Sequence, residues 1–169
     1  MSLKHVAAVD LGAESGRVVQ VSFDGHSFQM DLVHRFPNIP VQCRSTLHWD
    51  VLRLWHEIAT GLGVVLPNAS SIAVDAWGVD FALLDRDGHL VANPVHYRDS
   101  RTEGMMDWVF ERVPRRLIFD RTGIQFLGIN TLYQLASLRK ANSPLLDAAA
   151  ALVTIPDLFN YWLTGAQSC

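Results

Sequence analysis

The sequence is poor in cysteine, with only Cys43 and Cys169 among 169 residues and no C-x-x-C pair. A disulfide framework and a paired-cysteine zinc module are therefore excluded, and both residues are read as thiols. No uninterrupted apolar run approaches the roughly 18 residues of a membrane-spanning helix. Met1-Ser2-Leu3-Lys4-His5 leads straight into a strand-like segment with no cleavable signal pattern, so the chain is expected in the cytoplasm. Net charge is also small, with 14 Lys and Arg against 17 Asp and Glu for a formal charge of -3. That leaves no sequence-wide field for a phosphate backbone or an anionic lipid surface, and no basic cluster supplies a local one. Neither nucleic acid nor membrane is expected as a partner. The seven histidines form no i, i+4 pair with a helix-borne acid, so no protein metal site is expected. Internal repeats, low-complexity tracts and linkers are absent too.

What remains is a chain that is 49% hydrophobic and 18% charged, the composition of one ordinary globular domain. At this length folding buries roughly 70% of the unfolded surface, which excludes intrinsic disorder. Lys4 to Leu11 reads as a strand running into the turn Gly12-Ala13-Glu14-Ser15-Gly16. Arg17 to Phe23 and Ser27 to Phe36 continue as strands joined by Asp24-Gly25, a dipeptide that favours a hairpin. After a Pro-interrupted loop, Asp50 caps a helix whose Trp55, Ile58, Leu62 and Val65 fall on one face, stopped at Pro67 and Asn68. Ser71 to Trp77 and Phe81 to Asp85 read as strands around Gly78, with a turn at Arg86-Asp87-Gly88, and a strand after a helix points to a partly parallel sheet. The remainder reads as helical. Ser100 to Glu103 and Thr131 to Gln134 match the capping box, and a last helix runs from Pro156 to Gly165.

Three constellations carry chemistry. Asp10-Leu11-Gly12-Ala13-Glu14-Ser15-Gly16-Arg17 places an acid at a strand end before small residues whose amides can face an anion. It lacks the Lys-Ser/Thr and following helix of a P-loop, and it serves equally as a hairpin without a ligand. Asp75-Ala76-Trp77-Gly78-Val79-Asp80-Phe81 sets two carboxylates and a glycine into an apolar pattern, where unpaired acids are costly. A bulge at Gly78 with both acids solvated accounts for it as well. His96-Tyr97-Arg98-Asp99-Ser100-Arg101 mixes an aromatic ring with donors and an acid, a composition suited to a polar small ligand or simply to capping and a surface ion pair.

Taken in order, DLGAESGR, SIAVDAWGVDFALLD, YRDSRT, GIQF, NTLYQL and PDLFNYWLTG resemble the FGGY carbohydrate kinases, most closely their rhamnulokinase branch, from Val6 to Gly165. The resemblance implies an α/β, ribonuclease-H-like domain of the actin, hexokinase and sugar-kinase kind, with a mixed β-sheet and flanking helices. It implies ATP and Mg as cofactors and L-rhamnulose as the sugar, with L-rhamnulose 1-phosphate as product. Carried over by position, Ala13, Glu14, Ser15, Gly16 and Arg17 match the ATP-phosphate turn. Asp10 matches the acid near the metal and the transferring phosphate, and Gly78 a position contacting the ketose, flanked by Asp75, Trp77 and Asp80; His96 and Arg98 carry less.

Two departures matter. Small hydroxyl residues are common in the related turn where this chain has Glu14, so the Glu14 side chain is expected to face solvent. The family also runs well beyond 169 residues, with its proton-accepting Asp and a second nucleotide-binding domain in later segments that nothing here matches. The chain is thus expected to be an incomplete N-terminal domain, nearly inactive alone. Another FGGY kinase acting on L-fuculose or D-xylulose, and a non-catalytic sugar- or nucleotide-binding module, remain open alternatives.

Overall fold

The structure, a computed structural model, describes residues 3–167. Met1, Ser2, Ser168 and Cys169, the last of them an expected thiol, lie outside the described residues, while Cys43 is an exposed free thiol. The chain forms two compact units. One takes in the chain up to Pro40, Asp50–Gly78 and everything from Thr154 onward; the other takes in Val41–Trp49 and Val79–Val153.

The first unit is built on a four-stranded sheet. β1 (Lys4–Leu11), β2 (Ser15–Phe23) and β3 (Phe28–Pro37) form the expected antiparallel meander. The Asp24 carboxylate accepts from the amides of His26 and Ser27, which closes the β2–β3 turn while Gly25 takes φ 101°. Helix α1 (Val51–Val65) follows, its first turn capped by Asp50, whose side chain accepts from the Arg53 amide. The β6 strand (Ile72–Ala76) then pairs parallel to β1, giving the order β3-β2-β1-β6. Ala7, Val9 and Leu11 alternate into the core with Val18 and Phe36, and Leu54, Ile58, Leu62 and Val65 of α1 are buried as well. Trp55 is only half-buried, meeting Trp162 edge-on at 5.6 Å. The interior Gly61 of α1 has a packing reason: a Cβ there would lie 2.6 Å from Val18 Cγ2, so helix and sheet approach closely. Beside it Glu57 accepts from His34 Nε2 and Arg53 Nε, both at 2.7 Å, and these bonds hold its carboxyl below the usual range. Helix α6 (Ile155–Thr164) opens with Pro156 in its first turn and ends at Gly165, φ 70°, as its sequence predicts.

In the second unit the structure departs from sequence expectations. The loop after β3 contains a short hairpin, β4 (Val41–Cys43) and β5 (Thr46–His48). The Phe81 strand, β7 (Phe81–Leu84), is buried at all four positions and pairs outside the main sheet. Its partner is β8 (Ala151–Thr154), four residues expected to be helical but too short to show either periodicity. Between these strands come a 3-10 turn at Ser100–Thr102 and helices α2 (Met105–Phe110), α3 (Arg115–Thr122), α4 (Thr131–Lys140) and α5 (Pro144–Ala148). Met105 and Val109 of α2 and Tyr133 and Ala136 of α4 form a buried core, with Ile118 of α3 packed against it.

Neither capping box forms. Asp99, not Ser100, caps the 3-10 turn through the Arg101 amide, and α2 starts after Gly104 at φ 70°. Asn130 occupies the cap position of α4, one residue before Thr131, and the Thr131 and Gln134 side chains are engaged elsewhere. A capping box needs its hydroxyl and amide for the helix's own first amides; tertiary acceptors took them instead.

Candidate functional site

In the first unit, the register puts four charged residues in one row across the sheet. Asp75 of β6 is level with Asp10 of β1, Asp10 with Arg17 of β2, and Arg17 with Arg35 of β3. The Arg17 guanidinium grips Asp10 Oδ2 through both Nε and Nη2 at 2.6 Å, with both side chains about half-exposed. Asp75 is exposed beside them. Two acids on adjacent parallel strands repel, and Arg17 offsets that repulsion from the neighbouring strand.

The turn above this row ties its own acceptors down. The Gly12 amide donates to the Ser15 carbonyl at 2.9 Å. Asn38, 3% exposed, donates from Nδ2 to the Gly12 carbonyl at 2.8 Å and from its backbone amide to the Glu14 carbonyl at 3.0 Å. Three carbonyl oxygens that would repel an anion are thereby occupied, while Arg17 stands at the turn's edge. That arrangement fits a phosphate group held by Ala13, Glu14, Ser15 and Arg17. Glu14 itself is exposed. Gly16 is required for a different reason, since a Cβ there would lie 2.3 Å from the Phe36 ring. Asn38 went unnoticed in the sequence because it follows Pro37 in a segment read as loop. Trp77 is half-buried and Gly78 exposed, with open space where a Cβ would stand.

In the second unit Val79 is a β-branched residue at φ 69°. Such a residue is a genuine outlier in the left-handed region, at a cost on the order of 1–3 kcal/mol. Its carbonyl accepts from Thr131 Oγ1 at 2.7 Å and from Gln134 Nε2 at 3.3 Å. Asp80 follows at 2% exposure. Its Oδ1 accepts from Gln134 Nε2 at 2.8 Å and its Oδ2 from Trp49 Nε1 at 2.6 Å. Asp80 is thus a buried anchor, not a solvated acid, and it presents almost no surface to a ligand. Gln134 is 1% exposed; its Nε2 also donates to the Ile129 carbonyl, and its Oε1 accepts from Arg101 Nη2 at 2.7 Å. Three acceptors on one side and a guanidinium on the other fix which end of the amide is nitrogen. Burial holds the Arg101 guanidinium below its ordinary value, and the charges of Asp99 and Asp80 oppose that shift.

His96 is buried against Trp49, with ring centroids 3.9 Å apart, and its Nδ1 accepts from the Arg98 amide. Burial, and then the Arg98 charge, push its pKa down to about 4 against the opposing charge of Asp99, so the ring is neutral at neutral pH. It packs and orients. Arg98 is exposed beside Tyr97. Among the cavities of monosaccharide scale in this unit are one of about 500 Å³ bordered by Tyr97, Arg98, Ser100, Glu103, Asp107 and Ile129, and one of about 350 Å³ bordered by Val79, Asn130, Thr131 and the apolar Ile118, Ile124 and Phe126. Among the described residues Asp85, Asp87 and His89 also cluster, but Asp85 Oδ1 is spent on the amides of Asp87 and His89 within a turn.

Comparison with known proteins follows the same lines. The FGGY family of carbohydrate kinases, N-terminal domain, matches residues 5–169. The chain is 45% identical over its whole length to the rhamnulokinase of Pectobacterium carotovorum subsp. carotovorum (strain PC1), covering 35% of that protein. It is 40% identical to the rhamnulokinase of Bacteroides thetaiotaomicron, with 94% of this chain and 33% of that protein covered. It thus spans about a third of the length of the curated relatives it matches. Among solved structures, gluconate kinase from Lactobacillus acidophilus superposes with a TM-score of 0.82 at 16% identity, over 98% of this chain and 34% of that one. A carbohydrate kinase from Novosphingobium aromaticivorans superposes with a TM-score of 0.77 at 25% identity, over 96% and 34%. The fold, a mixed sheet with flanking helices, is the ribonuclease-H-like fold of the sugar kinases.

Proposed function

Because the chain belongs to the FGGY family of carbohydrate kinases, as its N-terminal domain, we propose that it is the N-terminal part of a cytoplasmic, ATP-dependent L-rhamnulose kinase. The observation that carries the sugar assignment is whole-length identity to rhamnulokinases, 45% in the Pectobacterium protein, against 15% to a xylulose kinase of the same fold. The reaction joins the C1 hydroxyl oxygen of the ketose to the γ-phosphorus of ATP and breaks the bond to the bridging oxygen, releasing ADP and L-rhamnulose 1-phosphate. The hydroxyl proton passes to the carboxylate that the family carries in a later segment.

Within this chain, Ala13, Glu14 and Ser15 offer backbone amides to ATP phosphate, and Gly16 lets the turn close over Phe36. Arg17 neutralises phosphate charge, and Asp10 faces the transferring group and its metal. Mg, arriving with ATP, supplies charge neutralisation at the phosphate oxygens. Gly78 offers bare backbone to the ketose, with Trp77 beside it and Asp80 as its buried support. Catalysis of this kind depends on positioned donors, and losing one costs about 3 kcal/mol of barrier lowering, so this domain without its base is nearly inactive.

The test is ADP release by the intact enzyme with L-rhamnulose, L-fuculose and D-xylulose in turn. A kcat/KM for L-rhamnulose at least about tenfold above the others supports the reading. Equal or better turnover of D-xylulose or L-fuculose transfers the assignment to that sugar. No turnover, with calorimetric binding of sugar or ATP to this chain, favours a binding module.

A further inference from the structure

We propose that Gln134 is a positioning residue for the sugar side of the site, holding Val79 in its strained conformation so that the backbone from Gly78 to Asp80 is fixed before substrate arrives; this rests on the reading of Gly78 as a ketose contact. Val79 is the one β-branched residue with positive φ among the described residues, and it directly follows Gly78. Relaxation to negative φ would turn the Gly78–Val79 peptide and move the carbonyl and amide that a ketose hydroxyl would meet.

Something must oppose that relaxation, and the bonds that do so converge from far away in the sequence. Thr131 reaches the Val79 carbonyl from 52 residues on, and Gln134 reaches Asp80 from 54 residues on. Gln134 Nε2 has two hydrogens. Its short bonds to Asp80 Oδ1 and the Ile129 carbonyl use them, and the 3.3 Å approach to the Val79 carbonyl is a shared third contact. Arg101 holds Oε1 and so sets the plane of the amide, while Asp99 accepts from the amides of Leu47 and Arg101 and fixes the base of that arginine. Trp49 pins the other oxygen of Asp80. Of two consecutive residues, Val79 is therefore held at its main chain and Asp80 at its side chain. Gln134, buried at 1% exposure, is the side chain shared by both attachments. A helix cap would have needed none of this, and Asn130 already occupies the cap position.

The proposal separates from simple structural support by kinetics. In the intact enzyme Gln134→Met, which keeps the length and removes the amide, should raise the KM for L-rhamnulose about tenfold while KM for ATP and kcat stay within about threefold. Adding Val79→Gly, which accepts φ near 69° without strain, should recover a large part of that loss. Thr131→Val removes one hydroxyl from the half-buried edge of the clamp and should give a smaller rise of the same kind, which keeps the idea testable if Gln134→Met folds poorly. Faster amide hydrogen exchange at Gly78–Asp80 in Gln134→Met or Thr131→Val, read without any substrate, should accompany the change. A joint rise of both KM values, a loss of active enzyme with KM unchanged, or no recovery on adding Val79→Gly overturns the proposal and leaves the kinase reading standing. Wild-type enzyme that phosphorylates no ketose overturns the kinase reading, and the exchange measurement then judges the clamp alone.

Discussion

The two units hold their candidate site residues in different ways. In the sheet unit, Asp10, Gly16 and Arg17 are placed by strand register: the partners of Asp10 are its neighbours across β2 and β6, and the turn is one step from each. In the helical unit, Val79 and Asp80 are placed by side chains arriving from 31 to 54 residues away. Register is a backbone property repeated along every strand, so one substitution rarely erases it. A clamp built of single side chains is less redundant, and losing one member strips a hydrogen bond from a buried polar atom.

That contrast predicts where the molecule breaks. Trp49→Ala should cost about 3–5 kcal/mol in denaturant unfolding, through the lost ring volume and the lost hydrogen bond to Asp80. Trp49→Phe keeps an aromatic ring while removing the indole N–H and part of the ring volume, at about 1–3 kcal/mol. If Trp49→Phe unfolds like wild type, the bond to Asp80 is not an anchor and the contrast weakens.

Gly16→Ala and Gly61→Ala probe the sheet unit, where a new Cβ meets Phe36 or Val18. Overpacking of this kind costs about 1–3 kcal/mol, and a thermal melt reads it as a drop of several degrees. A neutral result at either glycine would mean that the sheet gives way where the close approach says it cannot.

His96 gives a pH signature. Its unfolded value is near 6.5 and its folded value about 4. A depressed histidine means the unfolded chain binds the extra proton in that interval. Its contribution is therefore full above pH 6.5 and lost as pH falls towards 4, and His96→Gln should flatten that part of the stability curve. An unchanged slope would show that His96 is not the group being titrated.

Smaller effects test the phosphate turn. Asn38→Ala should destabilise by about 1 kcal/mol and raise KM for ATP several-fold in the intact enzyme, by freeing the Gly12 carbonyl that its side chain holds. Arg17→Met should change stability by less than about 1 kcal/mol, since its pair with Asp10 is half-exposed, yet weaken ATP binding clearly. Glu14→Ser should change neither; a large loss of ATP affinity there would show that the carboxylate points inward.

The three-strand meander, the capped α1, the parallel β6 and the Pro156-to-Gly165 helix were all legible, because alternation, a capping Asp, a Pro in the first helical turn and a Gly at the helix end act over a few neighbouring residues. The glycine turn between β1 and β2 was legible for the same reason. Asn38 was not, because nothing near Pro37 says that its amide reaches back to Gly12. Thr131 and Gln134 were misread as a cap, since the i, i+3 spacing is the same whether those side chains turn back to their helix or across to another segment. β8 was missed because four residues fill too few periods to distinguish strand from helix.

The sequence by itself determined the strand and helix order of the sheet unit, the glycine turn after Asp10 and the family to which the chain belongs. Tertiary structure decided that Asp80 is a buried anchor, that His96 is neutral, and that Val79 sits at positive φ. Each of those depends on donors and apolar groups brought together across dozens of residues, and burial with hydrogen bonding sets charge and conformation only once the chain has closed around them.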